Sequence, residues 1–165
     1  MSNTSTISVV RKRLTEAGGR TAQDLGLGRI VGQILVHLYL SRGERSLDEI
    51  AMELGLSKAA ISIAARQLES LGLLRRSWHK NDRKTYYRTA DDIATALHQG
   101  LLMLVRNKMG LMANELHQAE DELIQGSESE ETAFILGRIQ RAKKLRDTAM
   151  AVLENPVVKL LTRVK

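Results

Sequence analysis

Residues 46–72 read SLDEIAMELGLSKAAISIAARQLESLG and contain two short helical patterns separated by a turn. Ser46 is followed three residues later by Glu49, a pair in which each side chain can bond a free amide at a helix start. Gly55 ends this first helix, and Ser57 can cap a second one. The spacing therefore predicts two helices joined by a three-residue turn.

The two helices carry the side-chain types that a helix-turn-helix unit requires. Ala51 is the small residue that faces the second helix, and Gly55 accepts the left-handed backbone of the turn. The sites that pack the helices together are all apolar, namely Ile50, Leu54, Leu56, Ile61 and Ala64. We therefore predict a helix-turn-helix, with an ordinary helical hairpin as the alternative.

If the second helix, near residues 57–71, enters a major groove, its N-terminal turns point at the bases. The side chains there that packing does not require are Ser57, Lys58, Ala59, Ala60, Ser62, Ile63, Arg66 and Gln67. The two alanines permit close approach to thymine methyls, whereas Arg66 and Gln67 are long enough for phosphates or base edges. For Lys58 and Arg66 the alternative is a solvated helix face.

A basic hairpin is predicted directly after this helix, near residues 74–89. Residues 75–88 contain seven Lys, Arg and His side chains and a single acid, Asp82. Such a hairpin lies along a nucleic-acid backbone or enters the minor groove, with Arg83 as the leading minor-groove residue. Asp82 either orients Arg83 or Lys84 or simply forms the turn. The predicted DNA-binding residues are Ser57, Lys58, Ala59, Ala60, Ser62, Arg66, Gln67, Arg76, Lys80, Arg83 and Lys84.

The rest of the chain is expected to be mostly helical, because it has one proline and only 3% aromatic residues. The predicted fold class is mainly α, a winged helix-turn-helix with a short two-stranded wing and long C-terminal helices. The expected domains are an N-terminal arm or helix over residues 1–25, the winged helix over 26–90 and a helical dimerisation region over 91–165.

Glycines and capping pairs set the other expected helix boundaries. The Gly18-Gly19 pair predicts the end of a short first helix, and a core helix is predicted over residues 29–40. Further helices are expected to start at three capping pairs, Thr89 with Asp92, Ser127 with Glu130, and Asn155 with Pro156.

The long helix expected to end near Gln125 carries a heptad seam, because its apolar residues recur at alternating spacings of three and four. The residues of this seam are Leu102, Val105, Met109, Met112, Leu116, Ala119 and Leu123. A helix of this length is too long to pack wholly against a small winged domain. We therefore expect part of it to pack on another chain.

The net charge of +6 is divided unevenly along the chain. Residues 1–90 hold 15 Lys and Arg against 8 Asp and Glu, a net charge of +7, whereas residues 91–165 hold 10 against 11, a net charge of −1. This division indicates that the first part meets a polyanion while the second part assembles or regulates. A general solubilising charge is the alternative.

Several classes of site are missing from the sequence. The chain has no cysteine, no glycine-rich phosphate loop and no HExxH motif, so we expect neither an enzyme nor a metal or cofactor site. It also lacks a run of roughly 18 apolar residues and a signal-peptide pattern. We therefore expect a cytoplasmic protein without a membrane partner.

Three segments resemble MarR-type winged-helix transcription regulators, most closely the GbsR branch. They are Gly28-Arg29-Ile30, Ser57-Lys58-Ala59-Ala60-Ile61-Ser62 and Asp82-Arg83-Lys84-Thr85-Tyr86-Tyr87. The resemblance implies a homodimer with the heptad seam as its interface. It also implies repression by promoter occupancy and a small-molecule effector of unknown identity.

The sequence thus predicts a dimeric, sequence-specific DNA-binding regulator, acting as a repressor on a pseudo-palindromic operator. The alternative is a winged-helix adaptor that binds proteins without direct DNA contact. That alternative explains the long apolar seam but leaves the basic hairpin unexplained.

Overall fold

The structure is a computed structural model and describes residues 3–155, so the helix predicted after Asn155-Pro156 lies outside the described residues. The chain forms two compact units, residues 1–97 and residues 98–165. Its elements, in chain order, are α1 (Asn3–Asp24), α2 (Arg29–Tyr39), β1 (Arg45–Ser46), α3 (Leu47–Leu54), α4 (Lys58–Ser70), β2 (Leu74–Trp78), β3 (Thr85–Thr89), α5 (Ile93–Gln125) and α6 (Glu130–Glu154).

The predicted fold class is confirmed, with one addition to the sheet. The expected hairpin is present as β2 and β3, and a third strand, β1, pairs antiparallel with β3 to give the order β1-β3-β2. Arg45 lies opposite Tyr87, and Ser46 lies opposite Tyr86. Strand β1 was not predicted, because a strand of two residues is too short to show an alternating pattern.

The core of the first unit lies between α2, α3, α4 and the sheet. Its fully buried aliphatic side chains are Ile34, Ile50, Ile61, Leu68 and Leu74. Burying each such side chain stabilises the fold by about 1.5–3 kcal/mol relative to an exposed position. The small residues Ala51, Ala64 and Ala65 are buried among them, which lets the helices approach closely.

Helix α1 does not end at Gly18-Gly19, so that prediction was wrong. It continues to Asp24, and both glycines lie inside it, where they face α2. A Cβ atom on Gly19 would lie 2.8 Å from Cγ of Gln33, and one on Gly32 would lie 2.6 Å from Cβ of Ala22 and closer still to the carbonyl oxygen of Gly18. The glycines are therefore required by close packing of the two helices, not by a turn.

Polar contacts strengthen the same packing of α1 against α2. Glu16 accepts a hydrogen bond from Nε2 of Gln33 at 2.8 Å and forms an ion pair with Arg29. The hydrogen bond from Arg29 is the main reason that the pKa of Glu16 lies below its ordinary value. Helix α1 is thereby held to the winged helix as part of one compact unit. The functional division into residues 1–25, 26–90 and 91–165 stays a prediction.

Two of the expected capping pairs are shifted in register. At the start of α5, Asp92 is itself the cap, because its Oδ1 accepts from the amide of Thr95 at 3.0 Å. At the start of α6 the cap is Ser129, whose Oγ accepts from the amide of Thr132 at 3.0 Å. Thr89 and Ser127 were therefore wrong as caps, since two candidate residues lay close together at each position and the sequence pattern does not separate them.

The second unit contains most of α5 and all of α6. Ion pairs between Glu120 and Lys143, and between Arg106 and Glu154 at 3.0 Å, show that the two helices run antiparallel beside each other. Ile139 of α6 and Gly100 of α5 are buried. Six of the seven residues of the heptad seam are half-buried within this single chain, and Met112 is exposed.

Substitution of Gly32 by alanine tests the packing of α1 against α2. Because the added methyl would collide with backbone, Gly32→Ala is expected to lower the free energy of unfolding by about 1–3 kcal/mol. Gly110→Ala is the matched control, since this helical glycine has no atom within 4 Å of an added Cβ. The control should raise stability by about 0.5–1 kcal/mol. Urea unfolding followed by circular dichroism measures both, and an equal effect of the two changes would contradict the packing.

Candidate nucleic-acid interface

The helix-turn-helix consists of α3, a turn and α4, and the predicted caps of both helices are confirmed. Oγ of Ser46 accepts from the amide of Glu49 at 3.2 Å, and Oε2 of Glu49 accepts from the amide of Ser46 at 2.7 Å. That backbone bond is the main reason that the pKa of Glu49 lies below its ordinary value. Gly55 has a φ of 65°, the left-handed conformation expected for the turn.

Helix α4 has one buried side and one exposed side. Oγ of Ser57 accepts from the amide of Ala60 at 3.2 Å and starts the helix. The buried residues are Ile61, Ala64, Ala65 and Leu68. The predicted DNA-binding residues of this segment are distributed on the other side, where Ser57, Lys58, Ala59 and Arg66 are exposed and Ala60, Ser62 and Gln67 are half-buried.

Besides Ser57, three of these side chains already have partners within the chain. Nζ of Lys58 lies 2.7 Å from Oδ1 of Asp48, in a pair exposed enough to exchange for a phosphate. Nε of Arg66 donates to the carbonyl of Ser62 in its own helix at 3.3 Å. Nε2 of Gln67 donates at 3.4 Å to the carbonyl of Leu27, which precedes α2. The amide of Gln67 is therefore used inside the fold, and its role in DNA binding stays a prediction.

Arg76 of strand β2 is held by neighbouring side chains. Its Nε lies 3.2 Å from Oε1 of Glu69 on α4, and its guanidinium lies 5.0 Å from the centre of the Trp78 ring. These contacts connect the wing to α4. Trp78 is 63% exposed, whereas Tyr87 is only 3% exposed and belongs to the core. Tyr87 therefore packs the hairpin against the helices, whereas Trp78 does not.

The wing tip, residues 79–84, is organised around Asp82. Its Oδ1 accepts from the amide of Lys84 at 2.8 Å, and its Oδ2 accepts from the hydroxyl of Tyr86 at 2.7 Å. Of the two roles considered for Asp82, the turn-forming one is the one observed. Asn81 beside it has a φ of 68°, a conformation that Asn tolerates better than most residues.

Glu44, in the loop before β1, anchors the base of the wing. Its Oε2 accepts from Oγ of Ser77 at 2.8 Å and lies 3.0 Å from Nε2 of His79, while its Oε1 lies 3.8 Å from Nε of Arg88. Arg88 also forms an ion pair with Asp91. Glu44 was not predicted as a functional residue, because its partners lie more than 30 residues away and no local pattern marks it.

The remaining predicted cations of the wing, Lys80, Arg83 and Lys84, are exposed at its tip. None of them forms an ion pair within residues 3–155, and the only acid of the tip is occupied by the bonds from Lys84 N–H and Tyr86. These three cations outnumber the single carboxylate of the tip, so the tip is a basic surface. This surface can bind the phosphates of a nucleic acid.

Two other kinds of site are absent from the part of the chain that the structure describes. No group of three or more His, Asp or Glu side chains there is arranged to hold a metal ion. None of the helices there has the length and apolar character needed to cross a lipid bilayer.

Part of the first unit is similar to a family of known proteins. Residues 25–85 match the MarR family. The matching segment contains α2, the helix-turn-helix and the wing up to the first residue of β3. It therefore includes the exposed cations of the wing tip. No curated protein sequence matches the chain.

Solved structures similar to this chain include several regulators. One described as a transcriptional regulator has a TM-score of 0.64 and 22% identity, covering 93% of this chain and 99% of that one. A MepR variant from S. aureus bound to an oligodeoxyribonucleotide has a TM-score of 0.42 and 15% identity, covering 88% and 99%. BldR from Sulfolobus solfataricus has a TM-score of 0.40 and 21% identity, covering 84% and 91%. The first of these supports the winged-helix fold.

The hydrogen bond between Tyr86 and Asp82 can be tested by titration. Because this bond is the largest influence on the carboxyl, the pKa of Asp82 lies below its ordinary value of 3.8. Tyr86→Phe removes the bond and should raise the pKa of Asp82 toward that value, which NMR titration of the side-chain carboxyl carbon measures. Asp92, whose pKa is lowered by Thr95 instead, is the internal control and should not change.

The lowered pKa of Asp82 also makes the stability of the fold depend on pH. Since the pKa of Asp82 is lower in the folded state, its stabilising contribution is present above about pH 4 and is lost as the pH falls through the folded-state value. Tyr86→Phe should reduce this acid sensitivity. An unchanged pKa of Asp82 in the variant would show that the phenol does not organise the wing tip.

Proposed function

We propose that this chain is a sequence-specific, DNA-binding transcriptional regulator that acts as a repressor. The match of residues 25–85 to the MarR family supports this proposal, because it covers the helix-turn-helix and most of the wing. In the proposed complex α4 enters the major groove, and the wing tip follows the backbone into the adjacent minor groove.

The observation that carries the proposal is the state of the cations at the wing tip. Lys80, Arg83 and Lys84 are exposed and form no ion pair within the described part of the chain. In contrast, Arg76 and Arg88 are paired with Glu69 and with Glu44 and Asp91. A fold that pairs Arg76 and Arg88 of the strands and leaves the three cations of the tip unpaired has a surface suited to a polyanion.

We further propose that the regulator is a homodimer with the heptad seam of α5 at its interface. Within one chain, Met112 of the seam is 56% exposed, the other six residues of the seam are half-buried, and Leu111 beside it on α5 is 64% exposed. Large apolar side chains grouped on one helix are typical of surfaces that a partner covers. A symmetric dimer would place two α4 helices roughly 34 Å apart and so bind a pseudo-palindrome.

Three finer assignments stay predictions. The GbsR branch rests on the short segments at residues 28–30, 57–62 and 82–87. A small-molecule effector of unknown identity rests on the resemblance to MarR-type regulators. The cytoplasmic location rests on the sequence.

The salt dependence of DNA binding tests the proposed role of the wing tip. Each phosphate contact that is removed should lower the slope of log Kobs against log salt by about 0.9. Arg83→Ala with Lys84→Ala is therefore expected to reduce the magnitude of the slope by about 2 per protomer. Fluorescence anisotropy with a DNA fragment selected from the source genome, between about 50 and 200 mM salt, measures it.

The matched control removes the same charge elsewhere. Arg141 and Lys144 are exposed residues of α6 in the second unit. Arg141→Ala with Lys144→Ala should leave the slope close to that of the unmodified protein. Equal slopes for the two double variants would show that the wing tip has no special role. If no genomic fragment binds at all, the protein-binding adaptor becomes the better hypothesis.

The proposed dimer has its own test. Sedimentation equilibrium should give twice the chain mass of 18.4 kDa. Met112→Glu should shift the equilibrium toward the monomer, because it buries a charge in the seam, whereas Gln118→Glu on the exposed side of the same helix should not. A monomer at micromolar concentration, or a dimer that tolerates Met112→Glu, would refute this interface.

A further inference from the structure

Ile63 of α4 is a large aliphatic residue that the core does not use. It is 62% exposed, although the residues beside it in sequence include the fully buried Ile61 and Ala65. An exposed isoleucine is not unusual by itself. Ile63, however, lies on the helix that is proposed to enter the major groove, where an exposed side chain can contact the bases.

Ile63 lies in the middle of the exposed side of α4. Residues 59, 63, 66 and 70 follow helical spacing and lie on one face, and all four are exposed. Ala59 precedes Ile63 by one turn, and its methyl group does not shield the isoleucine from a partner. Arg66 follows by three residues. The face therefore combines an apolar centre with a cation beside it.

A partner for this face has to present apolar and anionic groups close together. The major groove of DNA does so, because phosphates border it and the C5-methyl group of thymine projects into it. No other base edge in the groove of unmodified DNA offers a methyl group. The basic wing tip in the same unit favours DNA over an apolar peptide as the occupant.

We propose that Ile63 is a specificity-determining residue that packs on the C5-methyl group of a thymine in each operator half-site, with Ala59 leaving room for the contact. This inference rests on the proposed DNA-binding function. It adds Ile63 to the residues of the same helix that are expected to contact bases.

Replacing thymine by deoxyuridine tests the contact, because the change removes the methyl group and keeps the pairing edge. A fragment that the protein binds is first selected from the source genome. Each thymine of one half-site is then replaced singly, and the dissociation constant is measured by fluorescence anisotropy at fixed salt. At one or two thymines the substitution should weaken binding by about fourfold, the effect expected for one buried methyl group.

The protein variants assign that effect to Ile63. Ile63→Ala should bring the ratio of uracil to thymine dissociation constants at those positions from about four to about one, and Ile63→Val should give an intermediate ratio. Met52→Ala is the matched control, because Met52 is a 76% exposed apolar residue that lies on α3 instead of α4. The control should keep the full ratio. Thermal unfolding of each variant confirms that the fold is retained.

The possible outcomes separate this inference from the function on which it rests. Loss of the thymine preference in Ile63→Ala alone supports the contact. If the protein binds its fragment but no thymine is sensitive, or if Ile63→Ala keeps the preference, the contact is refuted and the DNA-binding function stands. If no fragment is bound, the proposed function itself fails, and the inference fails with it.

Discussion

The burial of one side of α4 is the constraint on which the surface of the first unit depends. Ile61, Ala65 and Leu68 are fully buried, and the helix packs on α2, α3 and β2. Protein cores are packed as densely as organic crystals, so a helix anchored by these side chains has little freedom to rotate about its axis. Ile63 and Arg66, which lie between them in sequence, are thereby directed to solvent. The position of the wing follows as well, because β2 begins four residues after α4 ends and Arg76 is paired back to Glu69.

Within the wing, residues of the same type have different roles according to the acids around them. Arg76 and Arg88 have carboxylate partners and hold the sheet to the rest of the unit, whereas Arg83 at the tip has none within residues 3–155. A count of basic residues along the hairpin therefore overestimates the charge that is free to meet a partner. Asp82 keeps the tip in shape through the amide and the phenol that donate to its two oxygens, and its single negative charge is outnumbered by the three cations of the tip.

Local patterns predicted a large part of this structure correctly. The capping box at Ser46 and the cap at Ser57 follow from interactions that span three residues, and such interactions are visible in the sequence. Failures occurred where the cause lies at a distance. The Gly18-Gly19 pair was interpreted as a helix end because glycine often marks one. In the structure, however, a side chain at position 19 would collide with Gln33 of α2. The role of Glu44 could not be predicted for the same reason, since its partners come close to it only when β1, β2 and β3 form a sheet.

The sequence by itself determined the two helices of the helix-turn-helix, the hairpin after them and the concentration of positive charge in the first 90 residues. These features depend on periodicity, capping and composition, which are properties of short segments. Only the tertiary structure decided which cations remain unpaired, that Glu44 anchors the base of the wing and why α1 continues through two glycines. Each of these depends on contacts with side chains that are distant in the sequence. Packing and charge pairing are set by the whole fold, and a local pattern therefore leaves them open.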